Sequence, residues 1–355
     1  PGGDTASALA AGCPVLIKAH PGHPATSARC FAALQEGARK AGAPDGTLAL
    51  IHGADAGSAL VRHPAVRAVG FTGSLAGGRA LFDIASSRPE PIPFYAEMGS
   101  LNPLVVTPAA AAERGAQIGA GLLGSYTMGG GQFCTKPGLA FVPAGSTALL
   151  DAIAQGTTEA ATPWLLSGGI QHAFASGVDK LADKDGVRRL SVSEQEPAGG
   201  FSATPQVLVV PAGKLDGALL EECFGPVTVL AEYGDETELL TAIGRLDGSL
   251  TATVHTGDGE TELPRKVAEI LSRRAGRVIF NGFPTGVAVT WAMHHGGSYP
   301  ATSNELHTSV GTTAIRRFLR PISYQDAPAA LLPEQLRDEN ITGIPRRVDG
   351  QLQLP

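Results

Sequence analysis

The sequence predicts an α/β protein built around a parallel sheet. Short apolar runs of strand length alternate with helical stretches along most of the 355 residues, which is typical of crossover units on such a sheet. The composition agrees, because 43% of the residues are hydrophobic, 17% are charged and 46 are glycine. A chain of this length exceeds one compact core, so we expect two lobes.

The predicted elements follow the apolar periodicity in chain order. In the first hundred residues the predicted strands are 14–18, 47–51, 66–71 and 92–96, and the predicted helices are 27–40, 57–62 and 77–87. Because Pro21, Gly22 and Pro24 are breakers, we place the helix start after them. In the second lobe the predicted strands are 104–107, 139–142, 207–210, 227–231, 251–255 and 277–281, and the predicted helices are 109–128 and 263–274. We expect a surface loop at 193–200 and no clear periodicity after 321.

Charge and composition exclude several classes of partner and site. The net charge of −6 is spread along the chain, which leaves no basic stripe for nucleic acid or for an anionic membrane. No run of about 18 apolar residues could span a bilayer. The four cysteines lack the paired short spacings of a metal site. We therefore expect a small-molecule ligand, no metal and a cytoplasmic location.

Cys134 is the strongest candidate for a nucleophile. It follows the glycine cluster 129–131 at a predicted change from helix to loop, where a backbone with few side chains lets a substrate approach closely. A cysteine attacks as its thiolate, so it needs a lowered pKa or a nearby base. The alternative is a packed thiol without chemistry, as we expect for Cys13, Cys30 and Cys223.

Glu97 is the matching candidate for a general base. It follows the extended run that begins at residue 92, and a carboxylate at the carboxyl end of a parallel strand can face the crevice where such sheets bind ligands. Partial burial would raise its pKa and suit it to accept a proton from water. Taken alone, a surface or capping carboxylate would be the more common interpretation.

Two further places could receive a phosphate-bearing ligand. The turn at 70–74 joins a predicted strand to a helix, and the amide groups at a helix start can bind phosphate. The three spaced glycines of the dinucleotide fingerprint are absent from this turn. Lys18 ends the first strand and His20 follows two residues later, so both could place positive charge near a ribose or its 2′-phosphate. As isolated residues, both would more often face solvent.

In combination these motifs resemble those of the aldehyde dehydrogenase superfamily, and the resemblance covers nearly the whole chain. Gly-Gln-Phe-Cys at 131–134 is similar to the family's nucleophile motif, and Glu-Met-Gly at 97–99 to its general-base motif. Phe-Thr-Gly-Ser at 71–74 resembles its cofactor turn, and Glu-Cys-Phe-Gly-Pro at 222–226 its nicotinamide-ribose segment. The resemblance implies a three-layer αβα fold, with a Rossmann-type cofactor domain and a second αβ catalytic domain.

The resemblance also implies an activity, which is the oxidation of an aldehyde to a carboxylate. The implied cofactor is NADP, with NAD as the alternative. Cys134 would attack the aldehyde, and Glu97 would activate the water that hydrolyses the resulting thioester. The implied cofactor-binding residues are Lys18, His20, Gly53, Gly57, Phe71, Thr72, Gly73, Ser74, Gly99, Glu222 and Phe224.

The sequence departs from the family's pattern in two places. The family usually has an acidic residue three positions after the strand-end lysine, where it binds both ribose hydroxyls, and here this position is Pro21. Without that carboxylate a 2′-phosphate is not repelled, so we expect NADP to be accepted. The family's oxyanion asparagine and the first strand of the cofactor domain would lie upstream of Pro1.

The implied organisation is a dinucleotide-binding domain at 1–100, a catalytic domain at 101–308 and a C-terminal segment at 309–355. The last segment would pack back on the cofactor domain and on the subunit interface of a homodimer or homotetramer. Within the superfamily, segments 280–287, 295–302 and 316–321 are most similar to the 2-oxoglutarate semialdehyde (2,5-dioxopentanoate) dehydrogenases. This similarity places Phe283, Ser298 and Thr302 at the substrate entry.

Three other interpretations stay open at this point. The first is a related dehydrogenase that acts on a succinate semialdehyde or a fatty aldehyde. The second is a thiol hydrolase or esterase that uses Cys134 and Glu97 without a cofactor, although it would have no use for a ribose segment at 222–226. The third is a fragment that binds its ligands without turnover.

Overall fold

The structure, a computed structural model, describes residues 2–53, 55–197 and 199–355. In the first hundred residues, helices alternate with short strands. These elements are α1 (Gly3–Ala10), β1 (Val15–Lys18), α2 (Pro24–Lys40), β2 (Leu48–Ile51), α3 (Ala56–Arg62), β3 (Val69–Thr72), α4 (Leu75–Ser86) and β4 (Phe94–Glu97). The predicted alternation is therefore confirmed.

These strands form two parallel pairs. β1 pairs with β2, and β3 pairs with β4, with Thr72 opposite Glu97 at the carboxyl ends of the second pair. In the described residues, no strand joins the two pairs into one sheet. A small core of α3, α4 and β4 side chains lies beside the second pair and includes Val61, Phe94 and Met98.

Most of the core belongs to the region after residue 101. Its elements are β5 (Leu104–Val106), α5 (Pro108–Thr127), β6 (Leu139–Pro143), α6 (Thr147–Glu159), α7 (Gly168–Ala182), β7 (Arg188–Val192), β8 (Gln206–Pro211), β9 (Val227–Tyr233), α8 (Glu236–Gly244), β10 (Ser249–His255), α9 (Glu262–Ser272) and β11 (Ala275–Phe280). The strands form a seven-stranded sheet in the order β11-β10-β5-β6-β9-β8-β7. Only the edge strand β7 is antiparallel to its neighbour among these described strands.

Successive side chains of the central strands enter two cores on opposite faces of this sheet. Val105 packs with α7, α8 and α9 on one face, whereas Leu104 and Val106 pack with α5 and α6 on the other. Strands buried on both faces have the near-continuous apolar runs that the sequence shows. The three-layer αβα prediction is confirmed for this part of the chain.

Several elements differ from the sequence-based prediction. α2 begins at Pro24, not after it, because proline fits the first turn of a helix, where its missing N–H needs no partner. The prediction missed α6, α7, α8 and β7. α7 contains three glycines, which disfavour a helix, but Phe174 and Val178 bury an apolar face that outweighs this preference. β7 carries exposed charges, as edge strands often do.

The chain divides after Phe318 into two compact units. In the first unit, residues Thr312–Phe318 form a 3-10 helix that packs on α1, where Arg317 Nη1 donates to Asp4 Oδ1 at 2.7 Å. The second unit, Leu319–Pro355, contains two 3-10 turns and an antiparallel hairpin of β12 (Arg346–Val348) and β13 (Gln351–Gln353). The predicted domain limits at residues 100 and 308 stay predictions.

None of the helices in the described residues is both long and apolar enough to cross a membrane.

Candidate active site

The glycine turn before Cys134 lies against the backbone of the segment 222–226. Met128–Gly131 form a 3-10 turn, and Gly131 has a φ of +68°, in the left-handed region that favours glycine. A Cβ on Gly131 would lie 2.2 Å from the carbonyl oxygen of Gly225. Since only glycine permits this approach, the turn brings Cys134 next to the segment that carries Glu222.

A buried asparagine holds the backbone around Cys134. The side-chain amide of Asn102 donates to the carbonyl oxygens of Cys134 at 2.8 Å and Lys136 at 3.0 Å. Its Oδ1 accepts from the hydroxyls of Ser100 at 2.7 Å and Thr251 at 3.0 Å. Asn102 is fully buried and has a φ of 53°, a conformation that asparagine tolerates better than most residues. These bonds connect the loop that carries Cys134 to the sheet through Thr251 of β10 and so fix its position.

Lys136 ties the same loop to the Glu222 segment. Its side chain is buried, and Nζ donates to the carbonyl oxygens of Cys223 at 2.7 Å and Val227 at 2.9 Å. Burial lowers the pKa of this ammonium group, whereas Glu222 acts in the opposite direction. Removing the side chain would leave buried carbonyl oxygens without their donor.

Glu97 reaches the site from the end of β4. Its backbone forms an antiparallel bridge with Thr302, and the next amide, that of Met98, donates to Ala301 O at 2.8 Å. The hydroxyl of Ser309 donates to Oε1 of Glu97 at 2.5 Å. Burial raises the pKa of this carboxyl group to about 7, against the lowering effect of the Ser309 hydrogen bond. Such a carboxylate is suited to accept a proton near neutral pH.

One imidazole nitrogen lies between the thiol and this carboxylate. Nε2 of His295 is 3.8 Å from Cys134 Sγ and 3.6 Å from Glu97 Oε2. Burial lowers the pKa of His295 to about 4, so the contact with Glu97 joins a neutral ring and not an ion pair. Burial also raises the pKa of Cys134 to about 11, and the charges of Glu97 and Glu222 add to this increase. The sulfur is therefore a thiol that needs a base before it can attack.

The predicted cofactor turn lies at the same place. The amide of Gly73 donates to the carbonyl oxygen of Glu97 at 3.1 Å, and Ser74 caps α4 by accepting from Gly77 N at 3.2 Å. On the other side, a Cβ on Gly99 would lie 2.9 Å from Oε2 of Glu222. The structure thus brings Phe71–Ser74, Gly99 and Glu222 together around Glu97 and Cys134.

Comparison with known protein families shows which family has this arrangement. The profile of the aldehyde dehydrogenase family matches residues 1–318. The chain belongs to the aldehyde dehydrogenase family.

Two curated relatives within the aldehyde dehydrogenase family are similar over almost the whole chain. The alpha-ketoglutaric semialdehyde dehydrogenase 2 of Azospirillum brasilense is 46% identical over 99% of this chain, which spans 68% of that protein. The alpha-ketoglutaric semialdehyde dehydrogenase of Acinetobacter baylyi is 44% identical, with the same 99% and 68% coverage.

Solved structures share the aldehyde dehydrogenase fold. The 1-pyrroline-5-carboxylate dehydrogenase from Thermus, solved with bound NAD, is similar with a TM-score of 0.74 at 21% identity over 89% of this chain. Proline utilization A from Bradyrhizobium japonicum is similar with a TM-score of 0.75 at 24% identity over 88% of the chain. The chain spans 61% and 32% of these two structures, respectively. The likeness at this identity concerns the fold alone.

The remaining predicted cofactor residues lie at the ends of β1 and β2. Lys18 is paired in register with Ile51, so His20 and Gly53 follow the carboxyl ends of adjacent strands. His20 Nδ1 accepts from Gly22 N at 3.0 Å. Among the described residues, a Cβ on Gly57 would meet no atom outside its own helix within 4 Å, so packing there does not require glycine. Phe224 is 36% exposed.

Of the predicted substrate residues, the structure brings Thr302 next to Glu97, through the backbone bridge between them. Ser298 Oγ donates to the carbonyl oxygen of Arg273 at 3.5 Å. Phe283 packs on α5, where a Cβ on Gly121 would clash with its ring, and its ring lies 5.1 Å from that of His255. A place for Phe283 and Ser298 at the substrate entry stays a prediction.

Sequence reasoning missed four residues of this site, which are His295, Ser309, Asn102 and Lys136. For Lys136 the available signal was an ionisable side chain only two residues after the candidate nucleophile. Asn102 precedes Pro103 and a buried strand, which marks only a turn. His295 begins the segment 295–302 noted for its similarity, but nothing in that segment indicated a contact with Cys134. For Ser309 the sequence offered no local signal.

Proposed function

We propose that this chain oxidises an aldehyde to a carboxylate through a thioester on Cys134, with NADP as electron acceptor and NAD as an alternative. The observation that carries this proposal is the convergence of a partly buried thiol and a partly buried carboxyl group on His295, at 3.8 and 3.6 Å, next to the Glu222 segment. A nucleophile and a base in one pocket are the groups that acyl transfer through a thioester needs.

The side chains divide the reaction between them. Cys134 adds to the aldehyde carbon once its proton has left, which gives a thiohemiacetal. Loss of the hydride from the carbon of this adduct to a bound nicotinamide, and of the hydroxyl proton to water, would leave a thioester on the sulfur. Glu97 then takes a proton from water, the hydroxide adds to the thioester carbonyl, and the thiolate leaves with release of the carboxylate. Burial of Glu97, which raises its pKa to about 7, keeps it basic enough for this step.

The residues present fit a nicotinamide cofactor. Bound NADP would supply the hydride acceptor. Lys18, His20, Gly53 and Gly57 would hold its adenosine side, and the open space over Gly57 leaves room for a ligand. The residues proposed for the other contacts are Phe71, Thr72, Gly73, Ser74, Gly99, Glu222 and Phe224. Lys18 makes no ion pair in the described residues, and Pro21 offers no carboxylate, which favours a 2′-phosphate.

We propose 2,5-dioxopentanoate as the substrate and 2-oxoglutarate as the product, in line with the names of the two curated relatives. A cation near the nucleophile supports an anionic aldehyde. Arg277 donates to the carbonyl oxygens of Pro284 at 2.8 Å and Gly286 at 3.0 Å, and its charge acts on Cys134 and His295. In the described residues no carboxylate pairs with it, and its Nε is buried without a partner. Its uncompensated charge would attract a substrate carboxylate.

The near-ultraviolet absorbance of reduced nicotinamide tests this function directly. The chain is mixed with NADP or NAD and with 2,5-dioxopentanoate, succinate semialdehyde or a medium-chain fatty aldehyde. We expect reduction with both cofactors and the highest kcat/KM with 2,5-dioxopentanoate. Preference for the fatty aldehyde would contradict the role of Arg277, and ester cleavage without any cofactor reduction would replace the proposal by a thiol hydrolase. The cytoplasmic location and the homodimer or homotetramer stay predictions.

A further inference from the structure

His295 is held in the site by buried backbone. Its amide donates to the Thr308 hydroxyl at 2.7 Å, and its carbonyl oxygen accepts from Ser309 N at 2.9 Å. The following glycines pack closely against β10, since a Cβ on Gly297 would lie 2.2 Å from Ser249 O. The residue is 5% exposed. Its ring is therefore placed by the fold and not by a flexible surface loop.

The contacts of the ring suit proton transfer. Nε2 is within reach of both Cys134 Sγ and Glu97 Oε2, whereas Nδ1 has no partner in the described residues. The other charged or titratable groups that act on the ring are Arg277 and His294, and both disfavour its protonated form. The imidazole is thus neutral, and it would release a proton soon after accepting one.

We propose that His295 carries the thiol proton of Cys134 to Glu97 when the sulfur attacks the substrate. Nε2 accepts the proton as the S–H bond breaks, the sulfur forms its bond to the electrophilic carbon, and Nε2 then gives the same proton to Oε2 of Glu97. The imidazole returns to its neutral form, so no oxidant or further reactant is needed. This role rests on the proposed function, in which Cys134 is the nucleophile.

Glu97 must lose this proton before it can activate water, and the structure offers a route. A small cleft adjoins the carboxyl group and is lined by Glu97, Ser309, His307, Asp4 and Arg317, among others. Ser309 also lines the cleft and donates to Oε1 of Glu97. A proton on Glu97 can therefore pass to water in the cleft.

The first test is the alkylation rate of Cys134 by iodoacetamide, followed from pH 6 to 10 by mass spectrometry of the Cys134 peptide. This measurement needs neither cofactor nor turnover. His295→Phe removes the proton acceptor, and His295→Gln keeps a polar side chain that cannot carry a proton. We expect both variants to react at neutral pH about a hundredfold more slowly than the wild type, in line with a lost general base. Wild-type rates in His295→Gln would show that the residue only positions its neighbours, which overturns the proposal.

His255→Phe is the matched control. His255 is also buried, and burial lowers its pKa to about 4 as well, but its ring contacts Phe283 and not Cys134 or Glu97. We expect its alkylation rate to equal that of the wild type. A loss of the same size in this variant would attribute the His295 effect to packing and overturn the proposal.

A double-mutant cycle tests the path to Glu97. If one proton passes through both residues, the double variant of His295→Gln and Glu97→Gln should alkylate no more slowly than the slower single variant. Multiplicative losses would mean two independent effects and would overturn the relay. If alkylation depends on His295 but no aldehyde is oxidised, the proposed function fails and the relay stands. If the aldehyde is oxidised but alkylation does not depend on His295, the proposed function stands and the relay fails.

Discussion

The two halves of the site are held in different ways. Cys134 lies beside a sheet whose central strands are buried on both faces, and Asn102 and Lys136 bind its loop through buried hydrogen bonds. The proposed adenosine-binding residues follow β1 and β2, where Leu16 is 49% exposed and α2 has no fully buried residue. The position of Cys134 is therefore fixed by packing and buried hydrogen bonds, whereas the proposed cofactor-binding residues lie on half-exposed elements.

Glu97 joins the two halves. It ends β4, in the first hundred residues, but its backbone bridges Thr302 and its carboxyl group binds Ser309, which are more than two hundred residues later. The comparison teaches that the residues proposed for the reaction lie where contacts between distant parts of the chain are dense. Contacts to a ligand can be placed where the chain's own contacts are few, because the ligand supplies the missing ones. Mutations in the two halves should therefore have different effects.

The largest expected effect is the loss of oxidation in Cys134→Ala, since this variant lacks the sulfur on which the proposed thioester forms. We expect the rate of cofactor reduction to fall by at least about a thousandfold, as for other enzymes that lose a covalent nucleophile. Cys30→Ala is the control, because Cys30 lies on α2 in the half-exposed region. Turnover at the wild-type rate in Cys134→Ala would remove the residue from its role.

Glu97→Gln should slow the hydrolysis of the thioester by about a hundredfold or more, the usual contribution of a general base. Reduced cofactor should then appear as a burst of at most one equivalent, and mass spectrometry should find the acyl group on the Cys134 peptide. Rapid steady turnover without a burst would count against Glu97 as the base.

Lys136→Met compares the two halves by stability. We expect the free energy of unfolding in urea to fall by about 1–3 kcal/mol, because buried carbonyl oxygens lose their donor. Lys18→Met, at the end of β1, should change it by less than about 0.5 kcal/mol, as at most surface positions. Equal losses in the two variants would contradict the difference between the halves.

Ser309→Ala should shift the pH dependence of thioester hydrolysis. Only the ionised form of Glu97 can accept a proton from water, so the rate should rise with pH through the carboxyl pKa of about 7. The hydrogen bond from Ser309 lowers this pKa, and its removal should move the rise to higher pH. Ser309→Thr keeps the hydroxyl group and should keep the wild-type profile. A shift to lower pH in Ser309→Ala would disprove this assignment.

The smallest expected effect is that of Lys18→Ala on the cofactor. Loss of one charge near the 2′-phosphate should raise KM for NADP about tenfold, which corresponds to about 1.4 kcal/mol. KM for NAD should change less, and kcat should stay the same with both cofactors. The measurement is the ratio of KM for NADP to KM for NAD, obtained from initial rates in the variant and in the wild type. An equal increase for NAD and NADP would place Lys18 away from the 2′-phosphate.

Much of the fold was predictable from local pattern. The apolar runs at β5, β6 and β9 are nearly continuous because these strands are buried on both faces, and this signal needs no tertiary information. α7 was not predictable, because its glycines disfavour a helix and only the packing of Phe174 and Val178 stabilises it. The pairing of the first four strands was also beyond reach, since local pattern does not determine which strands are neighbours.

The sequence alone determined where most strands and helices lie along the chain, because their apolar patterns are local. It also determined the two residues on which the proposed chemistry depends, because Cys134 and Glu97 lie in short motifs. Only the tertiary structure decided which groups surround them. His295 is 161 residues from Cys134, and Ser309 is 212 residues from Glu97. Contacts at such separation arise from the packing of β4, the sheet and the segment 295–309. The raised pKa of Glu97 and of Cys134 comes mainly from burial, which a residue acquires only when the chain is folded.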